Sequence, residues 1–480
     1  MNCVESYFQS SFSGSSRPAI VFFDGIKALS NSRKNISFKK LTKNSIKAQR
    51  FLKSKGFNKG DAILLFEAPS PDMYAMILAM LASGIQIILV EPWMPLKNIN
   101  KIIAQVRPKG FMSGAIGKLW GARSKEIRRV PVWFSSSKLN EQSLSAADEI
   151  QIEKMGPHAL AILTFTSGTS GNPKGVHRKH QFLVDQAQVL KKYLHYEQHP
   201  GMDMTIFTNV ALLNLGMGKG SLLIPSKWPK RVLNQIDLLP KEYAPDTLAA
   251  GPAFLIKLMN NAKAESLRSF HMGGALADCW IYEKAFKRWP TGNFTHVYGS
   301  SEAEPVALAD LRSAVALSKK RNYFQTLYLG RPIKDIEIDQ EKDTLWVAGP
   351  HVSPLYEGDD QANRQNKRLD SQGRAWHNMG DRINIDTEGF WYRGRSFQEE
   401  EDFDLEQELY QRLGHSKCFI KREDKDLVLI GELSKEEQSE IKKCFKKVTK
   451  IKVAKVFRDK RHRARIDRTK TLKKGGYAIS

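Results

Sequence analysis

The chain has 480 residues, 41% of them hydrophobic, and a formal net charge of +24. That length allows two or more domains and a sizeable core, which excludes a disordered or low-complexity protein. Four scattered cysteines without CxxC spacing exclude a zinc ribbon or a disulfide framework and suit a reducing cytoplasm.

No basic stretch precedes an apolar core in residues 1–16, so no secretory leader is expected. Further on, Phe38, Leu41, Ala48 and Leu52 share one helical face that stops at Gly56, and residues 62–66 follow as a strand. The longest apolar stretch, residues 76–90, is interrupted by Ser83, Gly84 and Gln86 and is too short to span a bilayer. It reads as a helix ending at Gly84 and a buried strand. A helix over 98–106, with Ile99, Ile102 and Ile103 apolar, then leads to short strands at 110–112 and 130–134. This alternation predicts an α/β layered architecture, in which ligands collect beyond the carboxyl ends of strands.

Residues 159–165 form an apolar, partly β-branched run expected to be a buried strand, and Leu183, Ala187, Leu190 and Leu194 recur at helical spacing. Between them, residues 166–175 read Thr-Ser-Gly-Thr-Ser-Gly-Asn-Pro-Lys-Gly. Gly168, Gly171 and Gly175 let the backbone turn so that N–H groups converge on phosphate oxygens. Thr166, Ser167, Thr169 and Ser170 add hydroxyls, and Lys174 adds a positive charge. The expected placement is between strand and helix. The common Gly-Lys-Ser/Thr ending of a P-loop is absent, because Lys174 precedes its glycine.

The texture changes near position 380. Short strands at 382–385 and 390–393 flank Asp386-Thr387-Glu388-Gly389, which is hairpin chemistry. An acidic run at 399–404 reads as a linker. A helix over 404–413 closed by Gly414, a strand at 427–430, a helix opened by the capping box Ser434-Lys435-Glu436-Glu437 and a strand at 451–457 complete a small α+β unit. The expected division is a large layered domain over 1–394 and a small α+β domain over 395–480. Between Lys442 and Lys474, 16 basic residues face only Asp459 and Asp467. Phe445 and Phe457 are the only aromatics there, too few for a stacking platform, so no specific nucleic-acid partner is expected. The default is a solvated cationic face with weak attraction to anionic membrane surfaces.

Four further segments suit an ATP-using site. Gly273, Gly274 and Ala275 let backbone approach a flat base. Tyr298-Gly299-Ser300-Ser301-Glu302 places a ring, hydroxyls and a carboxylate together. Residues 376–381, Trp-His-Asn-Met-Gly-Asp, end in a carboxylate suited to ribose hydroxyls, and Arg395 sits at the domain junction. With the phosphate loop, in this order, they resemble the acyl-adenylate-forming superfamily of acyl-CoA synthetases, luciferases and peptide-synthetase adenylation domains. Residues 89–95, 106–112 and 251–255 resemble the fatty-acyl ligase group that contains the β-lactone synthetases of bacterial olefin biosynthesis.

The resemblance implies ATP and Mg²⁺ as cofactors, a small-molecule carboxylic acid as substrate, and coenzyme A or an acyl carrier protein as candidate acceptor. It implies that Tyr298 stacks on adenine beside Gly273, Gly274 and Ala275, that Asp381 binds the ribose, that Ser301 keeps a hydroxyl for the α-phosphate, that Glu302 holds Mg²⁺, and that Gly299 and Arg395 belong to the nucleotide site. His180 matches a histidine often found after the loop, with a surface or capping role as its alternative. Phe207, Leu212, Leu213 and Met217, with Gly251 and Gly273, are candidate substrate contacts, and a core helix would use the same apolar letters. Two departures stand out. Arg465 occupies the place of the superfamily's C-terminal lysine, where a planar fork is not a point charge, and Lys460 is a nearby substitute. Ser396-Phe397-Gln398-Glu399-Glu400 replaces the segment that helps form a thioester tunnel.

Overall fold

The computed structural model describes the chain except residues 92, 146, 168–172, 226, 343, 424–425, 459–465 and 476–480 and the side chains of Thr166 and Ser167. Two large sheets organise residues 1–395. The first has seven strands, with Leu160–Ser167, Gln86–Val90, Ala62–Leu65, Gly110–Met112 and Val132–Phe134 parallel to one another. Pro173–Lys179 pairs antiparallel with Leu160–Ser167, and Tyr356–Glu357 forms the far edge. The second sheet has fourteen strands, whose parallel part includes Asn293–Ser300, Ser269–Gly273, Pro245–Ala250 and Met202–Thr205.

Between the sheets lies Pro71–Ala82, where Pro71 and every residue from Met73 onward are buried. A helix apolar all round has no solvent face to offer, so it settles in the interior. Ser70 caps it by accepting from the Met73 N–H, and Pro71 fits the first turn. It shares one apolar cluster with Ile20 and Leu223 of the larger sheet and Ile63, Ile87 and Ile162 of the smaller. Phe38–Ser54 covers the same core, with Phe38, Leu41, Ala48 and Leu52 all buried as their spacing predicts.

Three local expectations need correction. The phosphate-loop segment does not run from strand into helix: Pro173–Lys179 is a strand, and the helix His180–Leu194 begins only after it. Val176 and Arg178 are buried, and the register Leu163↔His177, Phe165↔Gly175 pairs the segment antiparallel with Leu160–Ser167. The hairpin near 386 is longer than expected, joining Ala375–Ile385 to Phe390–Arg395, with Asp386 accepting from the Glu388 and Gly389 N–H groups. The acidic run at 399–404 is no linker, because Glu400–Leu413 is one helix. Its first-turn acids suit the positive helix end, and Asp402 is buried against Arg422.

That helix packs on Cys418–Glu423, Asp426–Gly431 and Lys450–Val453, a three-stranded sheet with its own apolar cluster around Leu409, Ile420 and Leu429. Ser434 and Glu437 form the expected capping box. Polar contacts such as Ser416 Oγ to Asp278 at 2.8 Å and Gln407 to Gln325 at 3.1 Å join this sheet's unit to the larger part. Among the described residues, no helix is long and apolar enough to cross a membrane.

Gly330 sits at φ +99° in Tyr328–Pro332, where an added Cβ would lie 1.9 Å from the Leu308 carbonyl oxygen. Gly330→Ala is expected to lower unfolding free energy by about 2 kcal/mol or more, read as a shifted urea midpoint at constant slope.

Candidate active site

Two groups of side chains, supplied by different strands, make up the candidate site. At the first end, Tyr298 lies on Asn293–Ser300 and Asp381 on Ala375–Ile385, distant in sequence yet joined by a 2.8 Å hydrogen bond from the Tyr298 hydroxyl to Asp381 Oδ2. Arg395 sits opposite Asp381 in register and holds its Oδ1 at 3.0 Å. The Asp381 carboxylate raises the Arg395 guanidinium further above its ordinary value. Gly273 ends Ser269–Gly273 beside Val297, whose carbonyl oxygen would stand 2.9 Å from an added Cβ. Gly274, at φ +84°, then turns the chain next to buried Ala275. Gly251 neighbours this turn, since its absent Cβ would be 3.5 Å from the Gly273 carbonyl oxygen.

At the second end, Glu302 occupies the tight connection between Asn293–Ser300 and Ala303–Asp310. It is 9% exposed. The Tyr356 hydroxyl donates to its Oε1 at 2.7 Å, and Lys174 Nζ stands 3.8 Å from the same oxygen. Lys174 also lies 4.4 Å from the centre of the Tyr356 ring and 3.4 Å from its hydroxyl. Burial works against the charged form of Glu302, but the His377 ring, Lys174, the Tyr356 hydroxyl and Lys367 together overcome it and hold the carboxyl at about 2. Burial brings His377 itself down to about 3, so above that pH its ring is neutral and the two lysines and the Tyr356 hydroxyl carry the effect. The site therefore brings an ionised, largely buried carboxylate close to a lysine, a setting suited to a hard cation and phosphate oxygens.

Of the residues singled out in the sequence, Tyr298, Asp381, Arg395, Gly273, Gly274, Ala275 and Gly251 come together at one end, and Glu302 and Lys174 at the other. Ser301 is half-buried beside Glu302, and its carbonyl oxygen accepts from Arg178 at 3.1 Å. His180 is placed elsewhere. It is fully buried at the far end of Pro173–Lys179, roughly 20 Å along an extended strand from Lys174, and its Nδ1 accepts from the Cys3 N–H at 3.2 Å. Burial lowers its imidazole to about 4. Leu212 and Leu213 diverge along Thr208–Gly216: Leu212 packs on the cluster between the sheets, while Leu213 and Met217 pack with Leu190, Leu194 and Val297. Phe207 precedes that helix. Gly168, Thr169, Ser170 and Gly171, the side chains of Thr166 and Ser167, and Arg465 and Lys460 lie outside the described residues. Beyond Arg465, Asp467 caps Arg468–Lys474, and Arg468 reaches both Glu406 oxygens at 2.8 and 2.9 Å.

Tyr356 and Lys367 were not marked by any sequence pattern. Tyr356 is positioned by Asn363, which accepts from its N–H and donates to its carbonyl, and by pairing with Val176. The only signal in the sequence is a tyrosine and a lysine flanking a short helix capped by Asp359.

A parallel-sheet enzyme fold with a buried carboxylate and lysine beside a hydroxyl-rich hairpin is that of a nucleotide-binding enzyme. Residues 13–356 match the model of the AMP-binding enzyme family, and the chain belongs to that family. It is 23% identical over 381 residues to an olefin beta-lactone synthetase of Xanthomonas campestris pv. campestris, covering 71% of this chain and 68% of that protein. It is 24% identical over 374 residues to a probable CoA ligase, CCL5, of Humulus lupulus, covering 71% and 66%. The fold is also that of the anthranilate CoA ligase AuaEII solved with anthranoyl-AMP, at a TM-score of 0.79 over 99% of this chain and 97% of that one, with 13% identity.

Because Glu302 is held at about 2, below the ordinary 4.5, its stabilising contribution is whole above pH 4.5 and is lost as pH falls toward 2. Glu302→Gln is expected to flatten the acid limb of stability in that window, measured by urea unfolding across pH. Tyr298→Phe removes the hydroxyl that orients Asp381 and is expected to cost about 1 to 2 kcal/mol of stability in the same assay.

Proposed function

We propose that the chain joins a medium- or long-chain carboxylic acid to AMP at the expense of MgATP, releasing pyrophosphate, and then passes the acyl group to a thiol, on coenzyme A or a carrier protein. The observation that carries this reading is the pairing of the Tyr298–Asp381–Arg395 end with the Lys174–Tyr356–Glu302 end in a chain of the AMP-binding family. Tyr298 and the Gly273-Gly274-Ala275 turn would border the base, and Asp381, oriented by Arg395, would accept from the ribose hydroxyls. Glu302 fits Mg²⁺, since its carboxylate is ionised far below neutral pH. When bound there, that ion would offset charge on the triphosphate.

The substrate carboxylate attacks the α-phosphorus in line and the bond to the pyrophosphate oxygen breaks, so no protein nucleophile is consumed. This chain's part is to position and to neutralise charge: Lys174 would serve the phosphates with the hydroxyls of the 166–170 segment, and Ser301 would serve the α-phosphate. Arg465 would supply the bridging cation from the C-terminal segment. The Gly251 and Gly273 region, with Leu213 and Met217 packed on neighbouring Val297, would admit the acyl chain.

The similarity to olefin beta-lactone synthetases supports a second reading. There the acid bears a β-hydroxyl whose oxygen attacks the activated carbonyl carbon, expels AMP and closes a four-membered ring, with no thiol needed. The short Ser396-Phe397-Gln398 segment in place of a glycine loop favours this outcome.

Pyrophosphate release should appear with a panel of aliphatic acids, and its product should be an acyl thioester when coenzyme A is present. Lactone formation from a β-hydroxy acid without any thiol would decide for the second reading, and retained ATP binding with no release from any acid would reduce the protein to an inert nucleotide binder. Lys174→Ala is expected to slow release by about 100-fold or more. Arg465→Lys tests whether arginine handicaps adenylation, since turnover then rises.

A further inference from the structure

Resting on the adenylation reading above, we propose that Lys367 is a second phosphate-facing cation, which contacts the β,γ end of the bound triphosphate alongside Lys174. Lys367 opens the strand Lys367–Leu369 and pairs in register with His377. Its Nζ lies 4.8 Å from the centre of the Tyr356 ring, the ring that also holds Lys174 at 4.4 Å, and donates to the Ser353 carbonyl oxygen at 2.5 Å. Ser353 in turn donates its N–H to the Glu302 carbonyl oxygen at 2.7 Å. Two ammonium groups therefore flank one tyrosine whose hydroxyl is bonded to Glu302.

The acids around this cluster are Glu302, Glu357 and Asp359, of which Glu302 and Asp359 act on Tyr356. Glu302 serves both lysines, while neighbouring Glu357 is engaged by His177 at 2.9 Å and Gln105 at 2.9 Å. His177 and His377 are held toward their neutral forms by burial. Burial brings the Lys367 ammonium down to about 7, with the Glu302 carboxylate holding it up and the Lys174 ammonium adding to the fall. A polyphosphate would restore its full charge.

Position along the sheet sets which part of the nucleotide it meets. His377, the partner of Lys367, is four residues before Asp381 on Ala375–Ile385, a span shortened by the bulge that sets Asn378 to Arg382 against only Thr344 to Trp346. The ribose end and the Lys367 end are thus separate points on one strand, with Glu302 on the Lys367 side. A cation here recognises ATP, tripolyphosphate and pyrophosphate but has nothing to grip in AMP.

The test is calorimetric titration of the full chain, wild type and variants, with MgATP, magnesium tripolyphosphate and AMP. Lys367→Met is expected to weaken MgATP and tripolyphosphate by about tenfold or more while leaving AMP within about twofold. Lys367→Arg should recover most of the loss, and it also serves if the methionine variant fails to fold. Equal weakening of all three ligands, or none, would overturn the proposal, the former marking Lys367 as a prop for Tyr356. Wild-type protein that binds neither MgATP nor AMP would instead sink the adenylation reading itself.

Discussion

The buried charge on Glu302 is the constraint from which the site's architecture follows. A carboxylate at that depth would ordinarily pick up a proton, yet the Tyr356 hydroxyl, Lys174 and Lys367 keep it ionised. Each of these groups comes from a different segment: the edge strand Tyr356–Glu357, the loop hairpin and the short strand Lys367–Leu369, which pairs with the long strand Ala375–Ile385. The charge can persist only if all three are docked, so the edge of the smaller sheet and the antiparallel part of the larger one are tied at one point.

The tie has a consequence for how the two ends of the site cooperate. Ala375–Ile385 carries His377 near Glu302 and Asp381 near Tyr298, so one strand sets the spacing between them. Gly380, at φ +66°, and the register shift after Asp381 let this strand turn Asp381 toward both Tyr298 and Arg395. Arg395 ends the last strand before the helix Glu400–Leu413, so any movement of that helix and its three-stranded sheet would be felt first at the Asp381 end.

Much of the core was legible because burial writes itself into sequence. An all-apolar segment such as Pro71–Ala82 has one physical solution, and the spacing of Phe38, Leu41, Ala48 and Leu52 admits one helical face. The meetings of Glu302 with Lys174 and of Asp381 with Tyr298 involve residues whose types cluster within short motifs. The strand after Lys174 was misread as the approach to a helix because Gly175-Val176-His177-Arg178 alternates too briefly to announce itself; its pairing with Leu160–Ser167 decided the matter. The acidic run at 399–404 looked like a linker for a related reason, since the arginines that neutralise it, Arg393 and Arg422, lie outside the run. Tyr356 and Lys367 could not be read at all, because their meaning lies in meeting Glu302, a residue far away in the chain.

A crystal structure of the full chain with Mg²⁺ and a non-hydrolysable ATP analogue tests the central claim most directly. The account predicts the metal at Glu302, phosphate oxygens against Lys174 and the ribose hydroxyls on Asp381. A nucleotide seated elsewhere, or a Glu302 carboxylate that keeps only protein partners while the nucleotide is bound, would contradict it.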